Sequence, residues 1–340
     1  MQSGLAGSMI VGTGHYVPDK VVTSAEIEER MKCQLDFSFP EGSIEALCGV
    51  RERRYVEPDF HPSDAAAEAS RRALDQAGIV PKELDLIIFG ACTKDIAEPA
   101  TANIVQQKLG AVNAAVFDTQ NACNSFVNGL DVADSLIRTG KCKTALVASG
   151  EVLSRFINWN LKSPEDMTTG FAGLTLGDGA GAVVLRGTND TSRGIQATHF
   201  ESCGAVWELA TVMGGGTVAP RDVEASYFMS ESRRLLKFAY QTIPRVMTRF
   251  LHAQQQRLQD FDFVFAHQAS EGIIRKICEK LDYPFERCRN GLKTFGNTGA
   301  ASIPISLSVA NANGLLEPGQ KLLMVGGAAG FSTGLVSMIW

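Results

Sequence analysis

The chain has 340 residues, of which 45% are hydrophobic and 20% charged, and its 32 Lys and Arg against 37 Asp and Glu give a net charge of −5. This composition predicts a globular protein with a large buried core. The basic surplus that phosphate contacts to nucleic acid require is absent, and no apolar run reaches the ~18 residues of a membrane-spanning helix. Because the N-terminal segment has no basic stretch followed by an apolar one, we expect a cytoplasmic protein without nucleic-acid or membrane partners.

The eight cysteines are not spaced for a metal site. No two of them are separated by two residues, the spacing that zinc sites and redox pairs use, and the five histidines form no HxxxH pair. We therefore expect neither a metal nor another cofactor. A cysteine without special context is expected to be a small buried hydrophobe. The cysteines are residues 33, 48, 92, 123, 142, 203, 278 and 288.

The first strongly apolar strand, "ELDLIIFGACT" at 83–93, follows an acidic turn. A second strand of the same kind, "DFDFVFAHQAS", occupies 260–270. The aspartates of the two turns, Asp85 and Asp262, define an offset along the chain that we call the repeat offset. Short apolar strands resemble one another by chance, so this pair alone does not establish a repeat.

A second pair of strands and a pair of helices show the same repeat offset. "KTALVASGE" at 143–151 and "QKLLMVGGA" at 320–328 are as far apart in the chain as the two aspartates. The helical pattern of apolar residues over 125–139 falls on the pattern over 302–316 with that offset. A strand, a helix and a strand at one constant offset indicate an internal duplication.

The duplication predicts two similar α/β halves, residues 1–187 and 188–340. Their continuous apolar strands require helices on both faces of each sheet, and equivalent elements should meet about a pseudo-twofold axis. Open α/β sheets place their chemistry where a strand ends and a helix begins. We therefore expect one pocket to which both halves contribute. The segment at 214–232 is loop-like and is a candidate cap for it.

Cys123 stands in "NAC", between a strand-like run and the helical pattern that begins at Ser125. Unpaired N–H groups and the helix dipole at such a position favour the reactive thiolate. When the halves are overlaid, Cys123 falls near Ala300, three residues beyond Asn297. A packed, inert thiol is the alternative interpretation, and the presence of partners decides between the two.

Two candidate partners come from the second half. His267 closes the strand in "FVFAHQAS" and overlays Gly90, and Asn297 lies in "TFGNTGAASIP". Taken singly, a strand-end histidine and a helix-capping asparagine are the ordinary interpretations. The duplication, however, sends both to the same pocket as Cys123, and a thiol with two hydrogen-bonding neighbours is typical of a catalytic nucleophile.

The glycine-rich segments indicate no nucleotide site. "VGTGHYV" has Val17 where a dinucleotide fingerprint requires its third glycine, and no GxxxxGK[ST] occurs. "LGDGAGAVVL" at 176–185 is typical of a turn entering a buried strand. "VGGAAGFSTG" at 325–334 follows a strand, and its small residues would allow a backbone N–H to approach a developing oxyanion.

Together, "NAC", "AHQAS", "FGNTGAASIP", "LGDGAGAVVL" and "GGAAGFSTG" resemble the thiolase superfamily, most closely the β-ketoacyl-ACP synthase III family. The resemblance runs from residue 10 to the C-terminus. It implies a thiolase-like five-layered α-β-α-β-α fold, a homodimer and a Cys–His–Asn site, which maps here to Cys123, His267 and Asn297.

The resemblance also implies a mechanism. Cys123 would take an acyl group from a CoA or acyl-carrier-protein thioester, and the N–H groups of Cys123 and Ala329 would form the oxyanion hole. His267 and Asn297 would then hydrogen-bond the carbonyl of a malonyl-type thioester during a decarboxylative Claisen condensation. The product would be a β-ketoacyl thioester. Relatives that use acetyl-CoA carry Trp and an Arg–Thr pair where this chain has Ser43 and Leu47–Cys48. The identity of the acyl donor therefore stays open.

Glu98 suggests a variant of this chemistry. Its segment "EPATA" resembles the head-to-head condensing enzymes of long-chain olefin biosynthesis, in which the glutamate reaches across the dimer and serves as base. A solvated loop glutamate is the alternative interpretation. Two further alternatives stay open: acyl transfer without C–C bond formation, and a non-catalytic partner subunit.

Overall fold

The computed structural model describes residues 5–32 and 40–340, which form fourteen strands. Strands such as Leu86–Gly90 and Thr144–Glu151 are completely buried, as the sequence pattern predicts. The strands are β1 (Gly7–Tyr16), β2 (Val21–Thr23), β3 (Glu52–Arg54), β4 (Leu86–Gly90), β5 (Ala115–Thr119), β6 (Thr144–Glu151), β7 (Gly179–Thr188), β8 (Gly194–Ser202), β9 (Ala210–Thr211), β10 (Met229–Ser230), β11 (Phe263–Ala266), β12 (Cys288–Arg289), β13 (Lys321–Ala328) and β14 (Ser332–Ile339).

Ten α-helices lie within the described residues. Their ends carry ordinary signals; α3, for example, has a proline at its first position and ends at Gly78 in the left-handed conformation. The helices are α1 (Ser24–Lys32), α2 (Ser43–Cys48), α3 (Pro62–Ala77), α4 (Thr101–Leu109), α5 (Ser125–Arg138), α6 (Pro164–Gly170), α7 (Ser232–Ala253), α8 (Glu271–Lys280), α9 (Leu292–Phe295) and α10 (Ser302–Ala312).

Two five-stranded mixed sheets organise the chain. The first has the order β1-β7-β6-β4-β5 and the second the order β8-β14-β13-β11-β12. In each sheet two of the four strand pairings are parallel and two are antiparallel, so one strand, β7 or β14, runs opposite to the other four. Corresponding strands occupy corresponding places. The repeat offset is confirmed by the starts of β4 and β11, of β6 and β13, and of α5 and α10, which all differ by the same amount. The boundary between residues 187 and 188, close to the end of β7, stays a prediction.

Helices α5 and α10 form the central layer between the two sheets. Each packs against strands of both sheets, and Phe126, Leu130, Ile303 and Leu307 are at most 1% exposed. Full burial of such a side chain contributes about 1.5–3 kcal/mol. Helices α3 and α4 cover the outer face of the first sheet, and α7 and α8 cover that of the second. The predicted five-layered α/β fold is therefore confirmed.

Among the residues that the structure describes, no helix combines the length and the apolar character needed to cross a membrane.

Candidate active site

A cavity of about 740 Å³ begins at the carboxyl ends of the parallel strands and continues between α7, α8 and the second sheet. Cys123, His267 and Asn297 all line it. The structure therefore brings together the three residues that the sequence analysis selected, two of them from the second half and one from the first.

Cys123 lies in the short connection between β5 and α5. The preceding residue, Ala122, has a φ of 47°, a left-handed conformation that non-glycine residues rarely adopt, and Asn124 is the N-cap of α5. A hydrogen bond from the Cys92 thiol and the charge of the nearby His267 hold the pKa of Cys123 well below its usual value, although burial acts in the opposite direction. The sulfur is thereby favoured as a thiolate.

The orientation of His267 follows from its hydrogen bonds. Its backbone N–H donates to the Val325 carbonyl (2.8 Å), and its Nδ1 lies 3.0 Å from the Ser302 hydroxyl. That hydroxyl donates its proton to the Gly299 carbonyl (2.8 Å), so it can only accept from Nδ1–H. The second ring nitrogen, Nε2, is therefore the atom left to interact with Cys123.

The same partners control the charge of the imidazole. Burial acts to lower the pKa of His267, but the charge of Cys123 and hydrogen bonds with Cys123 and with the backbone of Gly299 raise it above its ordinary value overall. Thiolate and imidazolium thus stabilise each other, which is the arrangement expected of an activated cysteine.

Asn297 is held in a turn that allows little movement. Gly296 has a φ of 68°, and a Cβ at this position would lie 2.6 Å from the Thr175 carbonyl oxygen, so only glycine fits. The backbone N–H of Asn297 donates to the same carbonyl (2.8 Å). Its side-chain Oδ1 accepts from the Gly299 N–H (3.1 Å), which leaves the amide NH₂ group as the donor available to a ligand.

A buried carboxylate lies behind these residues, and the sequence analysis missed it. Glu151, the last residue of β6, is completely buried, and burial raises its pKa to about 7. Its carboxylate accepts from the backbone N–H groups of Cys92 (2.7 Å), Thr93 (3.0 Å) and Ala300 (3.1 Å), and from the Thr93 hydroxyl (2.8 Å). Glu151 therefore joins the loop after β4 to the turn that begins α10. The available signal was a charged residue closing the apolar strand "ALVASGE".

Cys92 is the second functional candidate that sequence reasoning missed. It follows β4 by two residues, lines the cavity, and is the first cause of the lowered pKa of Cys123. The sequence analysis treated such cysteines as ordinary buried thiols. Its position just past the carboxyl end of a buried parallel strand, the edge at which Cys123 also lies, was the signal.

The remaining predicted positions fall in different places. Ala329 lines the cavity close behind β13, and Gly214, Gly215 and Gly216 of the candidate cap line it as well. Glu98 is exposed and does not line the cavity of its own chain, although residues 94–97 do.

The sequence analysis also made predictions about metal sites and about the remaining cysteines. Within the described part of the chain, no cluster of three or more His, Cys, Asp or Glu side chains is arranged to hold a metal ion. Cys33 lies outside the described residues.

A cysteine with a lowered pKa, a histidine and an asparagine that line one cavity, in a chain of two duplicated α/β halves, are typical of acyltransferases of the thiolase type. The comparisons with known proteins narrow this class. Residues 117–204 match the family model of 3-oxoacyl-[acyl-carrier-protein (ACP)] synthase III, and residues 251–340 match the model of its C-terminal part. The chain belongs to this family of acyltransferases.

Curated proteins of this family are similar to the chain over nearly its whole length. The β-ketoacyl-[acyl-carrier-protein] synthase III of Clostridium perfringens is 34% identical over 97% of this chain and 98% of the relative. The protein of the same name from Alkalilimnicola ehrlichii is 36% identical over 96% of this chain and 97% of the relative.

Solved structures point to two branches of the fold. The 3-oxoacyl-[acyl-carrier-protein] synthase III of Aquifex aeolicus has a TM-score of 0.86 and 33% identity, covering 98% of this chain and all of that one. OleA of Xanthomonas campestris, in a structure with bound lauric acid and lauroyl-CoA, has a TM-score of 0.89 and 25% identity, covering 99% of this chain and all of that one.

Proposed function

We propose that this protein is a condensing enzyme that loads an acyl group on Cys123 and joins it to a malonyl-type thioester. The observation that carries the proposal is the lowered pKa of Cys123 beside His267, in a cavity that Asn297 also lines. The thiolate attacks the carbonyl carbon of an acyl-CoA or acyl-carrier-protein thioester, the C–S bond of the donor breaks, and the donor thiolate leaves with a proton. The backbone N–H groups of Cys123 and Ala329 are our candidates for the oxyanion hole.

Condensation requires a second set of hydrogen-bond donors, directed at the second thioester. In our proposal, Nε2–H of His267 and the NH₂ group of Asn297 donate to the carbonyl oxygen of the malonyl thioester. Loss of CO₂ leaves an enolate on that oxygen, and its α-carbon attacks the acyl-Cys123 carbonyl to give a β-ketoacyl thioester and free thiolate. Each correctly placed donor stabilises such an oxyanion by about 2.7–4 kcal/mol.

The length of the apolar cavity wall supports the proposal that the acyl group is a long chain. Leu235, Ala239, Ile243 and Met247 follow one another at every fourth position of α7, and all line the cavity. At ~1.5 Å per residue, this ridge is roughly 18 Å long. An extended hydrocarbon advances about 1.25 Å per C–C bond, so roughly 14 carbons match the ridge.

The opposite wall is also apolar. Ile273, Ile274, Ile277 and Leu281, in and just after α8, face the cavity. Both α7 and α8 lie wholly within the described residues, and neither helix contributes a carboxylate or a cation to the cavity lining. An acyl chain would therefore be buried there without leaving a charge unpaired.

Intact-protein mass spectrometry tests this proposal. The protein is incubated with acyl-CoA donors from acetyl to palmitoyl, and we expect a covalent adduct that grows in yield up to chains of roughly 12–16 carbons. The Cys123→Ala variant should form none. Absence of an adduct with every donor would instead favour a non-catalytic partner subunit.

Asn297→Ala separates condensation from plain acyl transfer. The variant should still form the acyl-enzyme, because loading uses Cys123. The rates of CO₂ release and of β-ketoacyl product formation should fall by about 10²-fold or more. Unchanged CO₂ release would show that Asn297 does not stabilise the enolate. Transfer of the acyl group to an alcohol or amine without CO₂ release would establish simple acyl transfer.

Head-to-head condensation of two acyl thioesters is the second candidate, because Glu98 is exposed and directly follows residues 94–97, which line the cavity. In our proposal the chain is a homodimer, and Glu98 removes the α-proton of an acyl thioester in the partner's site. With two acyl-CoA molecules and no malonyl thioester, Glu98→Gln should abolish product, while Glu83→Gln, at another exposed glutamate, should not. A monomer by light scattering, or equal rates in both variants, excludes this candidate.

A further inference from the structure

The reactive end of the cavity contains a second thiol that the proposed condensation does not use. Cys92 and Cys123 follow the neighbouring parallel strands β4 and β5, and a Cβ added at Gly90 would lie 2.6 Å from the carbonyl oxygen of Ser125, so the two segments are in contact. Both cysteines line the cavity and are partly accessible. A Cβ added at Gly299 would lie 3.3 Å from the Cys92 sulfur, so the space on that side is closed. Cys92 is thus confined next to the nucleophile, and a small oxidant that reaches one sulfur reaches both.

The two sulfurs differ in protonation. Their mutual hydrogen bond lowers the pKa of Cys123 and, together with burial and the charge of Glu151, raises the pKa of Cys92 well above its usual value. Cys123 is therefore the thiolate and Cys92 the neutral thiol. Hydroperoxides oxidise thiolates, and a neighbouring thiol can then capture the sulfenic acid that forms.

We propose that Cys92 is the resolving thiol of Cys123, so that a hydroperoxide converts the pair to a reversible disulfide and the nucleophile escapes irreversible oxidation. This inference rests on the placement of the two cysteines at the ends of adjacent strands in one cavity, and not on the identity of the acyl substrates.

The reaction balances in two steps. The Cys123 thiolate attacks a peroxide oxygen, the O–O bond breaks, and the departing hydroxide or alkoxide takes the proton of the His267 imidazolium, leaving Cys123 sulfenic acid and neutral His267. The Cys92 sulfur then attacks the Cys123 sulfur, the S–S bond forms and the S–O bond breaks. The departing hydroxide leaves as water with the proton of Cys92. Two electrons pass from the two thiols to the peroxide, and an added dithiol returns both cysteines to their reduced state.

A second thiol pair provides an internal comparison. Cys278 and Cys288 also shift each other's pKa and lie along the same cavity, but they are only 7% and 5% exposed. The groups that lower the pKa of Cys278 are Cys288 first and then Arg275, whereas a histidine acts on Cys123. We therefore expect oxidation at Cys92 and Cys123 before this pair.

The experiment uses the reduced full-length protein with a small excess of hydrogen peroxide. After oxidation, we expect a mass lower by about 2 Da and a Cys92–Cys123 cross-linked peptide after proteolysis without reductant. Acyl loading from acyl-CoA should be lost, and dithiothreitol should restore nearly all of it. A cross-link found only between Cys278 and Cys288, or a sulfinic acid on Cys123 with Cys92 still free, would overturn the proposal.

Variants separate the role of Cys92 from general damage. Cys92→Ser and Cys92→Ala, both checked for loading before oxidation, should gain about 32 Da on Cys123 and recover under about one tenth of their loading with dithiothreitol. Cys203→Ser, which removes a thiol outside the cavity, should recover like the wild type. Full recovery in both Cys92 variants would contradict a resolving role. Because the peptide map does not depend on acyl chemistry, failure of this proposal is distinguishable from failure of the proposed condensation.

Discussion

The two halves have the same topology but differ in how their outer helices meet the sheets. Helix α3 lies directly on the first sheet through small residues, and Cβ atoms added at Gly12 and Gly14 would lie 2.2 and 2.0 Å from carbonyl oxygens of α3. Helix α7 meets the second sheet through large side chains such as Ile243 and Met247, and the 740 Å³ cavity lies beside it. In the first half, small residues let α3 lie directly on its sheet. In the second half, large side chains keep α7 further from its sheet.

The difference explains why the large cavity lies under the outer helices of the second half. Protein interiors are packed nearly as densely as organic crystals, so a void of this size is not an ordinary packing defect. It has the dimensions and the apolar walls of a ligand site. In our proposal, one half therefore provides rigid support and the other provides the space for a substrate.

Gly150 and Gly327 test this contrast most directly, because they are equivalent positions of β6 and β13. A Cβ at Gly150 would lie 2.1 Å from the Pro62 carbonyl oxygen, whereas at Gly327 its closest neighbour is the flexible end of Ile243, at 3.0 Å. We expect Gly150→Ala to lower the free energy of unfolding by about 3 kcal/mol and Gly327→Ala by less than ~1 kcal/mol. Urea unfolding followed by fluorescence measures both. Equal losses would show that the halves are packed alike.

Glu151 provides the next test, since the equivalent residue of β13 is Ala328. Its folded-state pKa of about 7 lies above the ordinary 4.5, so the folded protein binds the extra proton between these values. The corresponding stability, on the order of 3 kcal/mol, is fully present below pH ~4.5 and is lost as the pH rises through ~7. Glu151→Gln should remove this part of the pH dependence in urea unfolding at pH 5 and pH 8. A variant with the wild-type slope would contradict a proton held on Glu151.

A substitution at Ala239 tests whether the acyl chain binds in the cavity, and its expected effect is the smallest of the three. Ala239→Phe should fill the space along α7 and reduce loading of Cys123 from palmitoyl-CoA by roughly ten-fold, or ~1.4 kcal/mol, while acetyl-CoA loading stays unchanged. Arg245→Phe, on the exposed face of the same helix, is the matched control and should load both donors like the wild type. An equal decrease for both donors in Ala239→Phe would show that the acyl chain lies elsewhere.

Much of the fold followed from periodicity and spacing. Strands such as "LIIFG" are buried on both faces and read as continuous apolar runs, so the single repeat offset located three pairs of equivalent elements. The same offset selected Cys123, His267 and Asn297, because the place of a residue at a strand end or helix start is a local property. The helix predicted over 302–316 ends earlier, at Ala312.

The partners of these residues were not predictable in the same way. Ser302 orients the His267 ring, and Cys92 shares a hydrogen bond with Cys123, yet neither pair has a sequence signature. Their significance comes from contacts between separate elements, which no periodicity encodes.

By itself, the sequence determined the duplicated α/β architecture, the family and the positions of the three candidate catalytic residues, since burial patterns and motif residues are written along the chain. Only the tertiary structure decided which thiol lies beside Cys123, why burial raises the pKa of Glu151, and where the cavity lies. These properties depend on distances between β4, β6 and α10 and on the volume left between α7 and the second sheet. Such distances and volumes are set by how all the layers pack together.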